Sequence, residues 1–235
     1  MRLGPVLRSA DGSSISLAPS RWRGQPTLAE ERILAEVAGP ALDVGCGPGR
    51  HVLALARRGV LALGIDISPV AVSVARDRGA DVLQACVFRP LPLQGAWRTV
   101  LLLDGNIGIG GCPATLLRRT GQLLAAGGRA LVEVDPPGTS TGQMRVRVEH
   151  GAVRGPWFAW ARVAASRLPH IAESAGLDVS AVWDSGGRWF ARLDRHPEGG
   201  EHAHDADRRH DGCVGCGSGT GADDWAIALA EGACA

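Results

Sequence analysis

The chain contains no lysine and no tyrosine. All 25 of its basic residues are arginine, which excludes a lysine Schiff base, a lysine general base and a tyrosine phenol from its chemistry. Charge of one sign is also missing. Twenty-five basic residues face 24 acidic ones, for a formal net charge of +1, so the basic surplus of a nucleic-acid-binding chain is absent. No stretch reaches the roughly 18 apolar residues that a spanning helix needs. Residues 1–20 lack the charged-then-apolar order of a secretion signal, so the expectation is a cytoplasmic protein with no membrane partner. Cysteine is sparse: six residues, of which only Cys213 and Cys216 are close in sequence. A chain of 235 residues needs no disulfide framework, and reduced thiols are expected.

What is present fits one globular domain with some spare chain. Short apolar runs at 41–44, 60–65, 81–85, 99–103 and 129–134 alternate with helical stretches at 50–58, 70–78 and 114–125. Gly59 stands where a C-terminal cap belongs, and Ser68-Pro69 supplies an N-cap followed by proline at the first helical position. Continuous apolar strands separated by helices require a sheet covered on both faces, and the crossover rule makes it doubly wound. The rhythm then changes. Residues 144–149 alternate as a strand that turns back into 157–163, residues 168–175 form a short helix, and 177–183 and 188–193 form an antiparallel pair around Ser185-Gly186-Gly187. The chain therefore divides into an N-terminal extension or lid (1–38), a domain (39–195) with an inserted hairpin at about 143–163, and a tail (196–235). The tail's composition predicts disorder. It holds His202, His204, His210, Cys213 and Cys216, but without an apolar cluster to build a knuckle it is expected to be inert, and no metal site is assigned. There is no internal repeat.

The strongest local signal is Leu42-Asp43-Val44-Gly45-Cys46-Gly47-Pro48-Gly49-Arg50. A strand that ends in alternate glycines and runs into a helix lets backbone approach a ligand closely. A diphosphate site would avoid the Asp43 carboxylate, and the dinucleotide fingerprint would want glycine where Arg50 stands. The bend therefore favours a sulfonium amino acid. Asp66 ends the next strand, beside the first at the crevice, where a carboxylate can accept hydrogen bonds from both ribose hydroxyls.

From about residue 22 to 193 the chain resembles class I S-adenosylmethionine-dependent methyltransferases, closest to a group of small bacterial members, through segments 42–50, 64–68, 104–111 and 132–138. The resemblance implies a Rossmann-like α/β fold with a seven-stranded sheet, helices on both faces and an antiparallel last strand. It implies S-adenosylmethionine as cofactor. Gly45, Gly47 and Gly49 would line its methionine moiety and Asp66 its ribose, with Asp43, Cys46, Ile67, Cys86, Val87 and Asp104 completing the cofactor-binding set. One departure is Cys86, where such enzymes often place an acid for the adenine amine. A thiol accepts poorly, leaving backbone near Val87 and the Phe88 ring, or Gln84 or Asp81 as substitutes. Another is Cys112 in place of a capping aspartate before the 114–125 helix, a loss of about 1 kcal/mol.

Asp104 and Asn106, past the fourth strand, are the candidate catalytic pair, orienting the acceptor nucleophile beside the methyl group. The competing reading is an Asp-Gly turn bonded to its own backbone. Glu133 and Asp135 are further candidates, though Glu133 could pair with an arginine, and His51 follows the bend. Trp22, Asn106, Trp157 and Trp160 are candidate walls of a small-molecule acceptor site. The expected function is methyl transfer to a small molecule. The alternatives are an inactive S-adenosylmethionine-binding protein and a nucleotide-dependent oxidoreductase. The accepting atom and the oligomeric state stay open.

Overall fold

The computed structural model describes residues 4–17 and 19–195; the tail expected to be disordered lies outside the described residues. In chain order the elements are β1 (Val6–Ser9), β2 (Ser14–Ser16), α1 (Pro19–Arg23), α2 (Leu28–Leu34), β3 (Ala41–Val44), α3 (Arg50–Arg57), β4 (Ala62–Asp66), α4 (Pro69–Asp77) and β5 (Val82–Gln84). There follow β6 (Trp97–Leu102), a 3₁₀ segment (Asn106–Gly111), α5 (Pro113–Leu123), β7 (Leu124–Val134), β8 (Gly142–His150), β9 (Val153–Arg154), β10 (Phe158–Arg162), α6 (Leu168–Glu173), β11 (Leu177–Ser185) and β12 (Arg188–Arg195).

Seven strands form one sheet in the order β11-β12-β7-β6-β3-β4-β5. From β5 to β7 all neighbours are parallel, whereas β12 runs antiparallel to both β7 and β11. The period of two along a strand buries both faces. On β6, Val100 and Leu102 belong to the core under α5 and α6, with Leu116, Leu117, Leu123, Leu168 and Ala172. Leu101, and Leu103 just beyond the strand, belong to the opposite core with Ile33, Leu34, Val52, Leu55, Val72 and Ala75 of α2, α3 and α4. Strand order reverses between β3 and β6, which opens a crevice above their C-terminal ends.

Two differences from the sequence reading stand out. The helix expected at 114–125 stops at Leu123, and Gly127-Gly128 falls within β7, where the β6–β7 register shifts between Trp97 and Thr99. The second is a separate sheet, order β10-β8-β1-β2, with β9 against β8. Leu7 pairs with Val148, and Phe158 with Val146, so the N-terminal strands and the inserted strands are one unit. Nothing in β1 or the exposed β2 marks them as strands in isolation; a partner far along the chain decides it.

This sheet meets the main body where glycines allow it. A Cβ on Gly108 would sit 2.2 Å from the Ala161 carbonyl oxygen and 2.7 Å from Trp160 Nε1, and one on Gly111 would sit 2.9 Å from Ala159 Cβ. Gly108→Ala is accordingly expected to lose about 1–3 kcal/mol of unfolding free energy as β10 is pushed off the 3₁₀ segment. Gly142→Ala, where a Cβ meets nothing within 4 Å, is expected to stay within about 0.5 kcal/mol in the same denaturant titration.

Candidate active site

The glycine bend leaves β3 and enters α3 through three left-handed glycines. Close approach explains two of them: a Cβ on Gly49 would strike Ala80 Cβ at 2.8 Å, and one on Gly45 would lie 2.6 Å from Asn106 Nδ2. A Cβ on Gly47 would meet nothing within 4 Å, so there is open space above the middle of the bend. Asp66, at the end of β4, is tied to this bend. Its Oδ2 accepts the Gly47 N–H at 2.9 Å, and its Oδ1 accepts the Ser68 N–H at 2.9 Å. Burial pushes the Asp66 carboxyl upward, the Ser68 and Gly47 N–H groups oppose that, and nearby Asp43 adds to it, for a net rise. Ile67 beside it is 61% exposed. Cys46 turns its thiol inward: the sulfur packs where a Gly64 side chain would be, and burial with Asp43 and Asp66 drives its pKa far upward. That thiol is inert, which leaves only the Cys46 backbone available to a ligand.

Asn106 Nδ2 donates to the Val44 carbonyl at 2.8 Å and to the Gly45 carbonyl at 3.0 Å. Its amide hydrogens therefore brace the glycine bend. Asp104 has φ of 55°, unusual for a non-glycine residue, and its N–H donates to Glu133 Oε2 at 2.7 Å. The Asp104 carboxylate accepts from Arg21 at 3.2 Å, from Arg188 at 3.2 Å and from Arg50. Glu133 pairs with Arg188 at 2.5 Å, and Asp135 is held by Arg162 through two 2.9 Å bonds. Past β5, the Val87 carbonyl accepts from Arg119 Nε at 2.9 Å, Phe88 lies against Gly110, and Cys86 is half-buried. Gln84 reaches the Ile67 carbonyl at 3.4 Å. Trp22 is half-buried on α1. Trp160 lies at Gly108, whereas the Trp157 ring is covered by the Arg147 guanidinium at 4.7 Å.

Behind these residues lies a buried charge cluster that local sequence pattern does not reveal. Glu30 of α2 is fully buried. One oxygen closes a capping box by accepting the Thr27 N–H at 2.7 Å; the other lies 2.9 Å from Arg21, 3.0 Å from Arg50 and 2.5 Å from Arg188. Burial would push the Glu30 carboxyl up, but His51, the Thr27 N–H, Arg21 and Arg188 outweigh it and hold it well below the carboxylate range. The Thr27-x-x-Glu30 spacing was a readable cap signal; that it would gather three arginines was not. His51 Nδ1 lies 3.5 Å from Asp43 Oδ2 and Nε2 lies 3.9 Å from Glu30. Burial disfavours its charged form, yet Asp43 and then Glu30 prevail and push His51 up to about 9. Asp43, Glu30, Asp104 and Glu133 are thus balanced by Arg21, Arg50, Arg188 and a protonated His51. Glu30, His51 and Asp104 offer donor atoms close enough for a metal ion, but three guanidiniums already occupy the carboxylates and their field opposes another cation.

Residues 41–128 match the model of a methyltransferase domain family. Uncharacterized proteins of Mycobacterium tuberculosis and Mycobacterium bovis are 31% identical over 196 residues, covering 80% of this chain and 63% of theirs. This chain thus spans less than two thirds of the curated relatives it matches. Among solved structures, an S-adenosylmethionine-dependent methyltransferase from Bacteroides fragilis, in complex with S-adenosyl-L-homocysteine, aligns with a TM-score of 0.71 at 25% identity, over 83% of this chain and 89% of that one. An amino pentose methyltransferase of calicheamicin biosynthesis from Micromonospora echinaspora, with S-adenosylmethionine bound, aligns at 0.53 and 19% identity, over 75% and 94%. The chain thus has the fold of the S-adenosylmethionine-dependent methyltransferases and matches a methyltransferase domain over residues 41–128. The domain implies S-adenosylmethionine as its cofactor.

The charge cluster sets two expectations. Glu30→Gln leaves buried guanidiniums short of a counter-charge and should cost about 3–5 kcal/mol in chemical denaturation. The folded-state pKa of His51 is raised above its ordinary 6.5, so its contribution is complete below that pH and is lost as pH rises through about 9. Wild type should therefore lose about 3 kcal/mol relative to His51→Gln between pH 6.5 and 10. Parallel slopes for the two proteins would refute the linkage.

Proposed function

We propose that the protein transfers a methyl group from S-adenosylmethionine to a small organic acceptor. The observation that carries this reading is the lock between Asp66 and the bend: a ribose-competent carboxylate accepts the N–H of the middle glycine, directly under open space. A carboxylate oxygen accepts more than one hydrogen bond, so Asp66 can keep these contacts and still receive ribose hydroxyls. Gly45, Gly47 and Gly49, with the Cys46 backbone, line the methionine chain. Exposed Ile67, with Val87 and Cys86 beyond β5, borders the adenine, and the buried Asp43 charge lies beneath the amino-acid end.

When bound, S-adenosylmethionine supplies an electrophilic methyl group on a sulfonium. The chain's own task is orientation and exclusion of water, which dominate the rate of an in-line displacement. Asn106 fixes the bend, and Glu133 fixes the turn that carries Asp104 toward the crevice. We assign Asp104 to the cofactor side of the acceptor site, with Trp22 and Trp160 as its apolar walls and Trp157 at its outer edge. A small acceptor is supported by the amino pentose methyltransferase among the structural neighbours. The even charge balance argues against nucleic acid. Among the described residues no helix is long and apolar enough to cross a membrane, and we infer action in the cytoplasm.

Isothermal titration tests the reading. S-adenosylmethionine and S-adenosylhomocysteine should bind, and NAD should not. Asp66→Ala should weaken binding by about 1.5–3 kcal/mol, because hydrogen bonds to a charged group are lost. Binding of NAD with exclusion of the sulfonium compound would overturn the assignment. Release of S-adenosylhomocysteine in the presence of small acceptors then reports turnover.

A further inference from the structure

The formal charge of +1 conceals an uneven split along the chain. Residues 196–235 hold 8 of the 24 acidic residues and only 2 of the 25 basic ones, Arg208 and Arg209, a net charge of −6. Residues 1–195 are left with 23 basic against 16 acidic residues, a net charge of +7. Part of that surplus is gathered on one face of the second sheet. Side chains two apart on a strand share a face, as do residues paired across strands. Arg145, Arg147 and Glu149 of β8 therefore lie together, with Arg8 paired to Arg147 and Arg154 paired to Glu149. The opposite face of β8 carries the buried Val146 and Val148, so the arginine face is the outer one. Four guanidiniums there share a single carboxylate. Glu149 pairs with Arg8 at 3.3 Å, Arg147 at 2.6 Å and Arg154 at 3.1 Å. Arg145 is exposed and has no ion-pair partner among the described residues. Arg8 and Arg147 stand directly opposite each other, a like-charge pairing that is unfavourable until an anion compensates it. At the rim of this charge Trp157 lies under the Arg147 guanidinium and is 37% exposed, so an aromatic surface is also on offer.

We propose that segment 223–229 of the same chain docks on this face, its carboxylates against the arginines and its indole beside Trp157. The chemistry is complementary. Asp223-Asp224 runs directly into Trp225-Ala226-Ile227-Ala228-Leu229, the one apolar run in a tail otherwise rich in Gly, Asp and His. The reach is sufficient. The last described residue, Arg195, ends β12 opposite Leu177 and bonds to the carbonyl of Leu124, where β7 begins, so the tail leaves at the end of the main sheet away from the crevice. The eight residues of β12 span about 27 Å, whereas residues 196–224 can extend about 95 Å. Tethering makes the contact intramolecular, with an effective concentration on the order of millimolar, so a few charge pairs and one aromatic contact are enough to hold it. β10, which follows Trp157, packs on the 3₁₀ segment at Gly108 and Gly111, so a segment seated here covers the outer side of the sheet that borders the crevice. The proposal is independent of the reaction assigned above.

The test reads the seven tryptophan indole N–H signals of the full chain by nuclear magnetic resonance, with Trp225→Phe and Trp157→Phe identifying two of them. In wild type at low salt the Trp225 signal should lie away from the position of a free indole. It should move to that position near 1 M NaCl, where the screening length falls to about 3 Å, and also in Arg145→Glu and in Asp223→Asn/Asp224→Asn. The Trp157 signal should shift in the same three cases, while the other five signals stay in place and show that the domain is folded. A Trp225 signal at the free position in wild type at low salt overturns the proposal, as does one that is displaced but indifferent to Arg145→Glu. A short single-stranded oligonucleotide should perturb the Trp157 signal of wild type only at about tenfold higher concentration than it needs in Asp223→Asn/Asp224→Asn, or not at all. An equal response of the two proteins assigns the face to an outside polyanion and overturns the proposal.

Discussion

Glu30 is a carboxylate with no solvent access, and a charge in that position persists only where its surroundings fully compensate it. Compensation comes from four directions at once: Arg21 of α1, Arg50 and His51 of α3, and Arg188 of β12. One oxygen atom thereby fixes the N-terminal segment, the helix that follows the glycine bend and the last strand in one mutual arrangement. Arginine suits this task because its planar fork can address two carboxylates together, as Arg188 does with Glu30 and Glu133. A chain without lysine has made its structural counter-ions from the residue best fitted to the role.

The constraint propagates to the crevice by short steps. Arg188 holds Glu133, and Glu133 accepts the N–H of Asp104. A left-handed conformation at a non-glycine residue costs about 1–3 kcal/mol and persists because its surroundings over-determine it. The turn so fixed presents Asn106, whose amide grips the carbonyls of Val44 and Gly45. The bend is thus supported from behind by a side chain and from the side by Asp66. Both faces of the sheet being packed, the strand ends are where polar groups can gather without losing core contacts.

Much of the main sheet was legible in the sequence. Continuous apolar runs such as 41–44 and 99–103 can be satisfied only between two helical layers, and the turn at Ser185-Gly186-Gly187 marks the final antiparallel pair. The glycine bend and Asp66 were legible because their spacing is itself the chemistry. Of the second sheet, the hairpin of 144–149 with 157–163 was legible from its alternation, but its N-terminal strands were not, since the exposed β2 and the four-residue β1 carry no periodicity of their own. For Asn106 and Glu133 the sequence offered polar residues past a strand end, and the choice between meeting a ligand and bracing the backbone is a matter of what stands opposite. His51 was similarly mute: its charge state is set by Asp43 and Glu30 together.

The sequence by itself determined the parallel sheet, its helical cover and the position of a bend able to admit a ligand, because each follows from periodicity and backbone freedom within a few residues. Tertiary structure decided which charges are buried and which arginines are spent on carboxylates. It also decided that the N-terminal strands join a sheet with residues 142–162. Those outcomes depend on distances between segments far apart in the chain, and electrostatic compensation is a property of the place where they meet.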